Sequence, residues 1–298
     1  MNTIHIEFCP VCANRKCSGM FECKDHLVTN EVFSVFKCPE CGFAFTQDFP
    51  AESEIGIYYD APEYISHTDS HKGIINSLYH QARKIALRSK TGFVSKYAPA
   101  STGTLLDIGC GTGYFLNAMR QKKWVVTGIE KSEQTRIYAH DKFGLNIQDS
   151  DYLFDIPANT KDVITLWHVL EHLEKLNETM ESLHRILKDN GTLFIALPNK
   201  ESADACYYKE NWAAYDVPRH LWHFSPADFE LFANKHNFEL IRTKGMPFDP
   251  FYISMLSEKN NGSKTSSISG LFKGGWFFLQ SLFNLNKNSS LVYILKKK

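Results

Sequence analysis

Four cysteines early in the chain have the type and spacing of a metal site. They stand in two C-x-x-C pairs, Cys9-Pro-Val-Cys12 and Cys38-Pro-Glu-Cys41. Each pair turns two thiolates toward one point, and two pairs complete the tetrahedral sulfur shell that zinc prefers. The alternating stretch Val32–Phe36 predicts a strand that leads into the second pair. We expect these cysteines to hold one structural zinc, and reduced cysteines that only pack are the alternative.

A glycine-rich turn follows the short apolar run Thr104–Ile108 and leads into a helical pattern. Its sequence is Gly109-Cys110-Gly111-Thr112-Gly113. A strand, a glycine turn and a helix N-terminus together form a cradle for a nucleotide-like ligand, because glycine lets the backbone approach and the free amides face the ligand. Dinucleotide enzymes need a glycine where Tyr114 stands, so a nicotinamide oxidoreductase is disfavoured. The turn alone is a weak signal, and coincidence is the alternative.

An acidic residue follows the second predicted strand, Trp124–Ile129, at Glu130. A carboxylate at this place can accept the hydroxyl protons of a ribose, and an ordinary solvated acid is the alternative. Asp149 stands in the same way after a third predicted strand, Leu145–Gln148.

Strands and helices alternate through the middle of the chain. A fourth strand is predicted at Lys161–Trp167 and a fifth at Gly191–Leu197, with helical patterns between them. This alternation predicts an α/β fold with a doubly wound, mostly parallel sheet.

Four motifs along these elements carry a family resemblance: LLDIGCGTGYFL, VTGIE, DVITLWHVLEHL and LKDNGTLFIALPN. They resemble the class I S-adenosylmethionine-dependent methyltransferases, most closely the branch that contains the ubiquinone-biosynthesis O-methyltransferases. The resemblance covers residues 100–200 by motif and the region from 225 onward by element order. It implies a Rossmann-like seven-stranded sheet with an antiparallel final strand at Ser290–Leu295. It also implies S-adenosyl-L-methionine as cofactor and methyl transfer to a hydroxyl or other nucleophile of a secondary metabolite, sugar or quinone-type substrate.

The resemblance also assigns the cofactor-binding residues. The methionine end would be held by Asp107, Gly109, Gly111 and Gly113. Glu130 would hold the ribose, Asp149 would reach the adenine amino group, and Trp167 would line the methyl-donor end.

Candidate catalytic residues lie after the fourth and fifth strands. Methyl transfer to a hydroxyl needs in-line positioning and removal of one proton. His168 follows the fourth strand directly, and His220 lies in the aromatic segment after the fifth, so both are predicted bases, with hydrogen-bonded core histidines as the alternative. In the resembled branch, Glu-x-x-Glu-His holds a divalent metal at this place, and here it reads His168-x-x-Glu171-His172. We expect the metal to be lost and His168 to act as a base, and metal binding is the alternative.

Charge and cysteine content bear on partners and location. Basic and acidic side chains number 33 each, so no global positive field exists to hold a nucleic acid, and a small-molecule substrate is expected. A zinc-ribbon RNA methyltransferase is the main alternative, although nine acidic and four basic side chains in the first sixty residues argue against it. A non-catalytic adaptor that keeps the fold is an alternative of another class.

We expect a cytoplasmic protein, since no secretory leader or membrane-spanning run is visible and reduced cysteines fit that compartment.

We interpret the chain as a zinc ribbon at residues 1–55, a connector and helix at 56–99, and a methyltransferase domain at 100–298. The connector contains Tyr58, Tyr59 and Tyr64, and its helix is predicted from Gly73 to Tyr97.

An aromatic stripe lies on a basic helix near residues 268–285. It consists of Phe272, Trp276, Leu279 and Phe283. Such a stripe usually packs against the protein, which we expect here, and contact with a membrane surface is the alternative.

Overall fold

A computed structural model describes residues 2–60 and 74–298, except for the side chains of 74–83. Among these residues, the centre is a seven-stranded sheet. Its strands are β6 (Thr104–Ile108), β7 (Val125–Ile129), β8 (Ile147–Gln148), β9 (Lys161–Trp167), β10 (Leu187–Pro198), β12 (Phe238–Gly245) and β13 (Ser290–Lys297). They lie side by side in the order β12-β13-β10-β9-β6-β7-β8. Strand β13 runs antiparallel to both neighbours, and the pairs among β6 to β10 are parallel. The predicted doubly wound, mostly parallel sheet is confirmed.

Helices flank this sheet. They are α1 (Ile74–Tyr97), α2 (Tyr114–Gln121), α3 (Glu133–Phe143), α4 (Tyr152–Asp155), α5 (Leu176–Ile186), α6 (Ala203–Tyr208), α7 (Pro226–Lys235), α8 (Asp249–Asn260) and α9 (Ser266–Phe283). Helix α5 shows why these segments are helical, since Leu176, Met180 and Leu183 recur at helical spacing and are buried against the sheet. The predicted helix start at Gly73 and the connector residue Tyr64 lie outside the described residues.

Some element boundaries differ from those predicted. Strand β10 begins at Leu187, four residues before the predicted start at Gly191. Its pairing with β9 shifts register between Leu187 and Thr192, and the exposed polar residues Asp189 and Asn190 lie in this part of the strand. These polar residues hid the start of the strand from a hydrophobicity pattern. Helix α8 was not predicted at all.

A second sheet joins the N-terminal region to the rest of the protein. Strands β2 (Ser18–Lys24), β3 (Val32–Lys37) and β4 (Ala44–Thr46) are consecutive, and the fourth strand is β11 (Trp222–His223). Strand β11 pairs antiparallel with β4, with Trp222 opposite Phe45. The short strands β1 (Thr3–Ile4) and β5 (Phe49–Pro50) pair separately. The N-terminal residues therefore share a sheet and one hydrophobic core with the central domain.

Helices α8 and α9 form a tightly packed hairpin. A Cβ atom at Gly270 would lie 2.4 Å from the Met255 Cα, and one at Gly274 would lie 2.6 Å from the Phe251 Cα. These glycines let the two helix backbones approach each other closely. The predicted packing of the aromatic stripe is wrong, because the side chains of Phe272, Trp276, Leu279 and Phe283 are exposed on the opposite face. None of the helices described here has the length and apolar character needed to cross a membrane.

Candidate active site

The four predicted zinc ligands converge in the structure. The Sγ atoms of Cys9 and Cys41 lie 3.4 Å apart, as do those of Cys12 and Cys38, and all four lie within 4.8 Å of one another. Each pair sits in a turn closed by backbone hydrogen bonds, such as the one from the Gly42 amide to the Cys38 carbonyl, 3.1 Å. Burial alone would raise the pKa of Cys38, but nearby backbone amides and thiols outweigh it and lower the pKa to about 7. This donor set fits zinc.

The glycine turn between β6 and α2 combines left-handed backbone conformations with open space. Gly109, Gly111 and Gly113 have φ of +63°, +52° and +78°, which L side chains rarely adopt. A Cβ at Gly109 would lie 2.4 Å from Val169, and one at Gly113 would lie 2.7 Å from Leu145, so both glycines are needed for packing. A Cβ at Gly111 would meet nothing within 4 Å. Gly111 therefore faces the space where a ligand can approach the turn.

Asp107 lies buried at the end of β6, beside this turn. Its Oδ1 accepts a hydrogen bond of 2.5 Å from Thr165 Oγ1. Burial raises the pKa of Asp107 to about 7, because the Thr165 hydrogen bond and the charge of Lys90 only partly offset the loss of water. The Lys90 ammonium lies 4.9 Å from the ring centre of Trp167, so a cation already stacks on the residue predicted to line the methyl-donor end.

Glu130 and Asp149 follow the next two strands along the same edge. The Glu130 carboxylate accepts hydrogen bonds from the Gly111 amide, 2.9 Å, and the Ser132 amide, 3.0 Å. Asp149 is exposed just after β8. The order β8, β7, β6, β9 thus places the predicted adenine, ribose, methionine and methyl-donor residues in sequence across three strand spacings, roughly 14 Å. The structure brings these residues to one edge, and their contacts with the cofactor stay a prediction.

His168 lies between two carboxylates. Its Nδ1 is 3.3 Å from Glu171 Oε1, and its Nε2 is 3.4 Å from Asp249 Oδ2. Burial disfavours the charged ring, but hydrogen bonds and charges from Asp249 and Glu171 outweigh burial and raise the pKa of His168 to about 9. At neutral pH both ring nitrogens carry a proton. The ring is then a cation and cannot accept the proton of a substrate hydroxyl. The predicted role of His168 as a base stays a prediction, and this arrangement does not favour it.

A different trio converges beside His168. One ligand atom each from Glu171, His172 and His220 lies within 4.8 Å of the other two. Glu171 is fully buried: its Oε1 faces the His168 ring at 3.3 Å, and its Oε2 has no hydrogen-bond partner among the described residues. The Leu170–His172 segment is a 3-10 helix, and the His172 ring lies edge-on to the His220 ring at a centroid distance of 4.5 Å.

The two imidazole rings of this trio are oriented by the backbone. Nδ1 of His172 lies 3.0 Å from the Arg219 carbonyl, and Nδ1 of His220 lies 2.8 Å from the Ala214 carbonyl. A carbonyl only accepts, so each Nδ1 carries the proton and each Nε2 keeps its lone pair. Burial, and next the charge of His220, lowers the pKa of His172 to about 4. A buried carboxylate and two imidazoles oriented in this way fit a divalent cation.

The Arg219 side chain ties this trio to the N-terminal sheet, and the sequence did not reveal it. Its Nη1 donates to the Tyr58 carbonyl, 2.8 Å, and its Nη2 donates to Asp25, 2.9 Å, and Asp216, 2.7 Å. Arg219 and Asp25 are both fully buried. Tyr59, which follows Tyr58 in the chain, has its hydroxyl 3.1 Å from His172 Nδ1. The one sequence signal near Arg219 was its neighbour His220, which was predicted as a base.

The aromatic segment after β10 serves packing. Tyr208, Trp212 and Tyr215 are buried, and Trp212 donates to Asp204 at 2.8 Å. His223 is buried against Thr46, 3.1 Å away, in keeping with a core histidine.

Comparisons with known proteins agree with this geometry. Residues 79–243 match a family model described as "Methyltransferase domain". The ubiquinone biosynthesis O-methyltransferase of Idiomarina loihiensis is 24% identical over 185 residues, covering 57% of this chain and 76% of that protein. The protein of the same name from Pelagibacter ubique is 27% identical over 164 residues, covering 51% and 68%.

Two solved structures share the fold. A SAM-dependent methyltransferase from Archaeoglobus fulgidus is 19% identical, has a TM-score of 0.50, and is matched over 72% of this chain and 94% of that one. Phosphoethanolamine N-methyltransferase 2 of Haemonchus contortus, in complex with S-adenosyl-L-methionine, is 17% identical, with a TM-score of 0.50 and coverages of 70% and 52%. The family match extends over more than half of the chain and includes both the glycine turn and the acidic residues at the sheet edge. This protein therefore belongs to the methyltransferase-domain family and is an S-adenosylmethionine-dependent methyltransferase.

Proposed function

We propose that this enzyme methylates a hydroxyl oxygen of a small, quinone-type or phenolic substrate, and that the acceptor binds at Glu171, His172 and His220. The convergence of these three residues is the observation that carries the proposal. Glu171 and His172 follow Trp167 by four and five positions, and His220 joins them from a later segment. Val169, between Trp167 and Glu171, lies against the glycine turn at Gly109. The acceptor would therefore bind next to the methyl-donor end of the cofactor. The relatives named as ubiquinone biosynthesis O-methyltransferases support an oxygen acceptor.

The cofactor side of the proposed site is formed by the sheet edge. S-adenosyl-L-methionine supplies an electrophilic methyl group on a sulfonium. Asp107 offers a buried carboxylate to the positive methionine end, Gly111 leaves room for it, and Glu130 and Asp149 receive the ribose and adenine. These residues hold the donor in one orientation, and in-line positioning is most of what methyl transfer asks of a protein.

The acceptor side is formed by the trio. A divalent cation held there would bind substrate oxygens and make a hydroxyl easier to deprotonate. The Arg219 and Ala214 carbonyls fix the two imidazole rings, and His168 supplies positive charge beside Glu171. Burial would raise the pKa of Glu171, but the neighbouring histidines, His168 first, hold it below its usual range. Glu171 is therefore ionised at neutral pH. This differs from our expectation of a metal-free His168 base.

Product formation with matched substrates tests the proposal. The expected result is S-adenosylhomocysteine release with a catechol, much less with the matching monophenol, and none with RNA. His172→Ala and His220→Ala should each lower kcat/KM by about 100-fold or more, while the exposed His140→Ala should not. Mn²⁺ binding, followed by its electron paramagnetic resonance signal, should be lost in both active-site variants. Full activity of either variant, or turnover of RNA, would overturn the proposal.

The four-cysteine cluster is proposed to hold one zinc with a structural role. Four thiolates leave no open coordination position for a substrate, which supports this role.

A further inference from the structure

The outer face of α9 exposes an unusual amount of apolar surface. Phe272, Trp276 and Phe283 are 79%, 61% and 91% exposed. These three rings alone present on the order of 500 Å² if a whole aromatic side chain offers 150–250 Å². Further exposed aliphatic side chains extend the same face: Ile268, Leu271, Leu279 and Leu282. The three rings alone therefore reach the size of the largest patch on a typical monomer, about 300–600 Å², and the aliphatic side chains add to it.

This face is not left over from incomplete packing of α9. The opposite side of the helix, with Gly270, Gly274, Phe277 and Ser281, is buried. Gly270 and Gly274 hold α9 against α8 at a distance that leaves no room for a Cβ atom. The helix therefore has two faces, one buried in the hairpin and one available to a partner.

Charge indicates the kind of partner. Residues 259–298 contain seven lysines and no acidic residue. Lys264 and Lys287 lie just beyond the two ends of α9, and the apolar face between them carries no charge. An apolar face with basic ends is complementary to a lipid surface that carries negative headgroups.

A second copy of the chain fits this face less well. In a two-fold dimer with antiparallel α9 helices, Lys264 of each copy would lie near Lys287 of the other. With parallel helices, Lys264 would lie near Lys264 and Lys287 near Lys287. No acidic residue of α9 could offset the repulsion in either case. An anionic bilayer has no such conflict.

We infer that the outer face of α9 docks this methyltransferase on an anionic membrane surface, with the helix lying in the plane of the interface. Helix α8 connects this face with the active site, because its first residue, Asp249, contacts His168 at 3.4 Å. Docking would therefore fix the orientation of the proposed acceptor site relative to the lipid surface.

Vesicle binding by the full chain tests this inference. Vesicles of equal parts phosphatidylglycerol and phosphatidylcholine should sediment the protein, and pure phosphatidylcholine vesicles should do so much less. The triple variant Phe272→Ser, Trp276→Ser, Phe283→Ser should bind about tenfold or more weakly. A matched control replaces three exposed apolar residues elsewhere, Ile137, Leu231 and Ile241, with serine and should bind like the unaltered protein.

A second measurement keeps the test independent of variant folding. Brominated lipids should quench part of the tryptophan fluorescence of the unaltered protein, and Trp276→Phe should remove that part. Absence of binding to the anionic vesicles, or equal loss in both triple variants, would overturn the inference. So would a dimer in solution that the α9 triple variant converts to monomers, since a second copy would then be the partner.

Discussion

Removing the Arg219 guanidinium should strongly destabilise the protein, because this group joins the N-terminal sheet to the active-site loop. Arg219→Met would remove at least the four hydrogen bonds seen among the described residues, to the Tyr58 carbonyl, to Asp25 and twice to Asp216, at 2.7–3.1 Å. Breaking a buried ion pair by removing one partner costs about 3–5 kcal/mol. Asp25 keeps bonds from the Leu27 and Thr29 amides, so the lower part of that range is expected.

Urea denaturation followed by circular dichroism measures this loss. Arg242→Met, at an exposed position of β12, is the matched control and should change the free energy of unfolding by less than about 0.5 kcal/mol. Adding Asp25→Asn to Arg219→Met should cost less than the sum of the two single changes, because both members of one ion pair are then absent. An Arg219→Met protein within about 1 kcal/mol of the unaltered chain would refute the reasoning.

Three further predictions concern the ligand sites. Gly111→Ala should abolish S-adenosylmethionine binding in calorimetry while the protein stays folded, whereas Gly113→Ala, whose Cβ would clash with Leu145, should lower the melting temperature first; the reverse pattern would contradict the assignment. Because burial raises the pKa of Asp107 to about 7 and a cationic ligand needs the ionised carboxylate, cofactor affinity should fall about tenfold per pH unit below that value. Asp107→Asn should bind weakly without this slope, and an unchanged slope would exclude Asp107 as its source. Purified protein should contain one zinc by elemental analysis and Cys38→Ser should lose it; metal-free protein never exposed to a chelator would disprove the site.

The sequence was most informative where local pattern and local chemistry coincide. The glycine turn, Glu130 and the two cysteine pairs depend on residues close together in the chain. The structure brings Glu130 against the turn and brings the four cysteines together. The central sheet was predictable because its strands are apolar runs buried on both faces, as in β9.

Contacts between distant segments were less predictable. His220 lies 48 positions after His172, and only the folded chain brings their rings to a centroid distance of 4.5 Å. The contact of His168 with Asp249 depends on α8, which no sequence pattern indicated. The aromatic stripe of α9 has a helical period, and a period alone cannot distinguish a face turned toward the core from one turned toward a partner.

The pairing of β11 with β4 also constrains how the protein can be synthesised. Thr46 and His223, which meet at this pairing, are 177 positions apart in the chain. At roughly 5–20 residues per second, a ribosome needs roughly 10–35 s between these two points. Throughout that interval the edge of β4 has no strand beside it, and unpaired strand edges invite association with other chains. The nascent N-terminal segment therefore carries an unpaired strand edge until about three-quarters of the protein has been made.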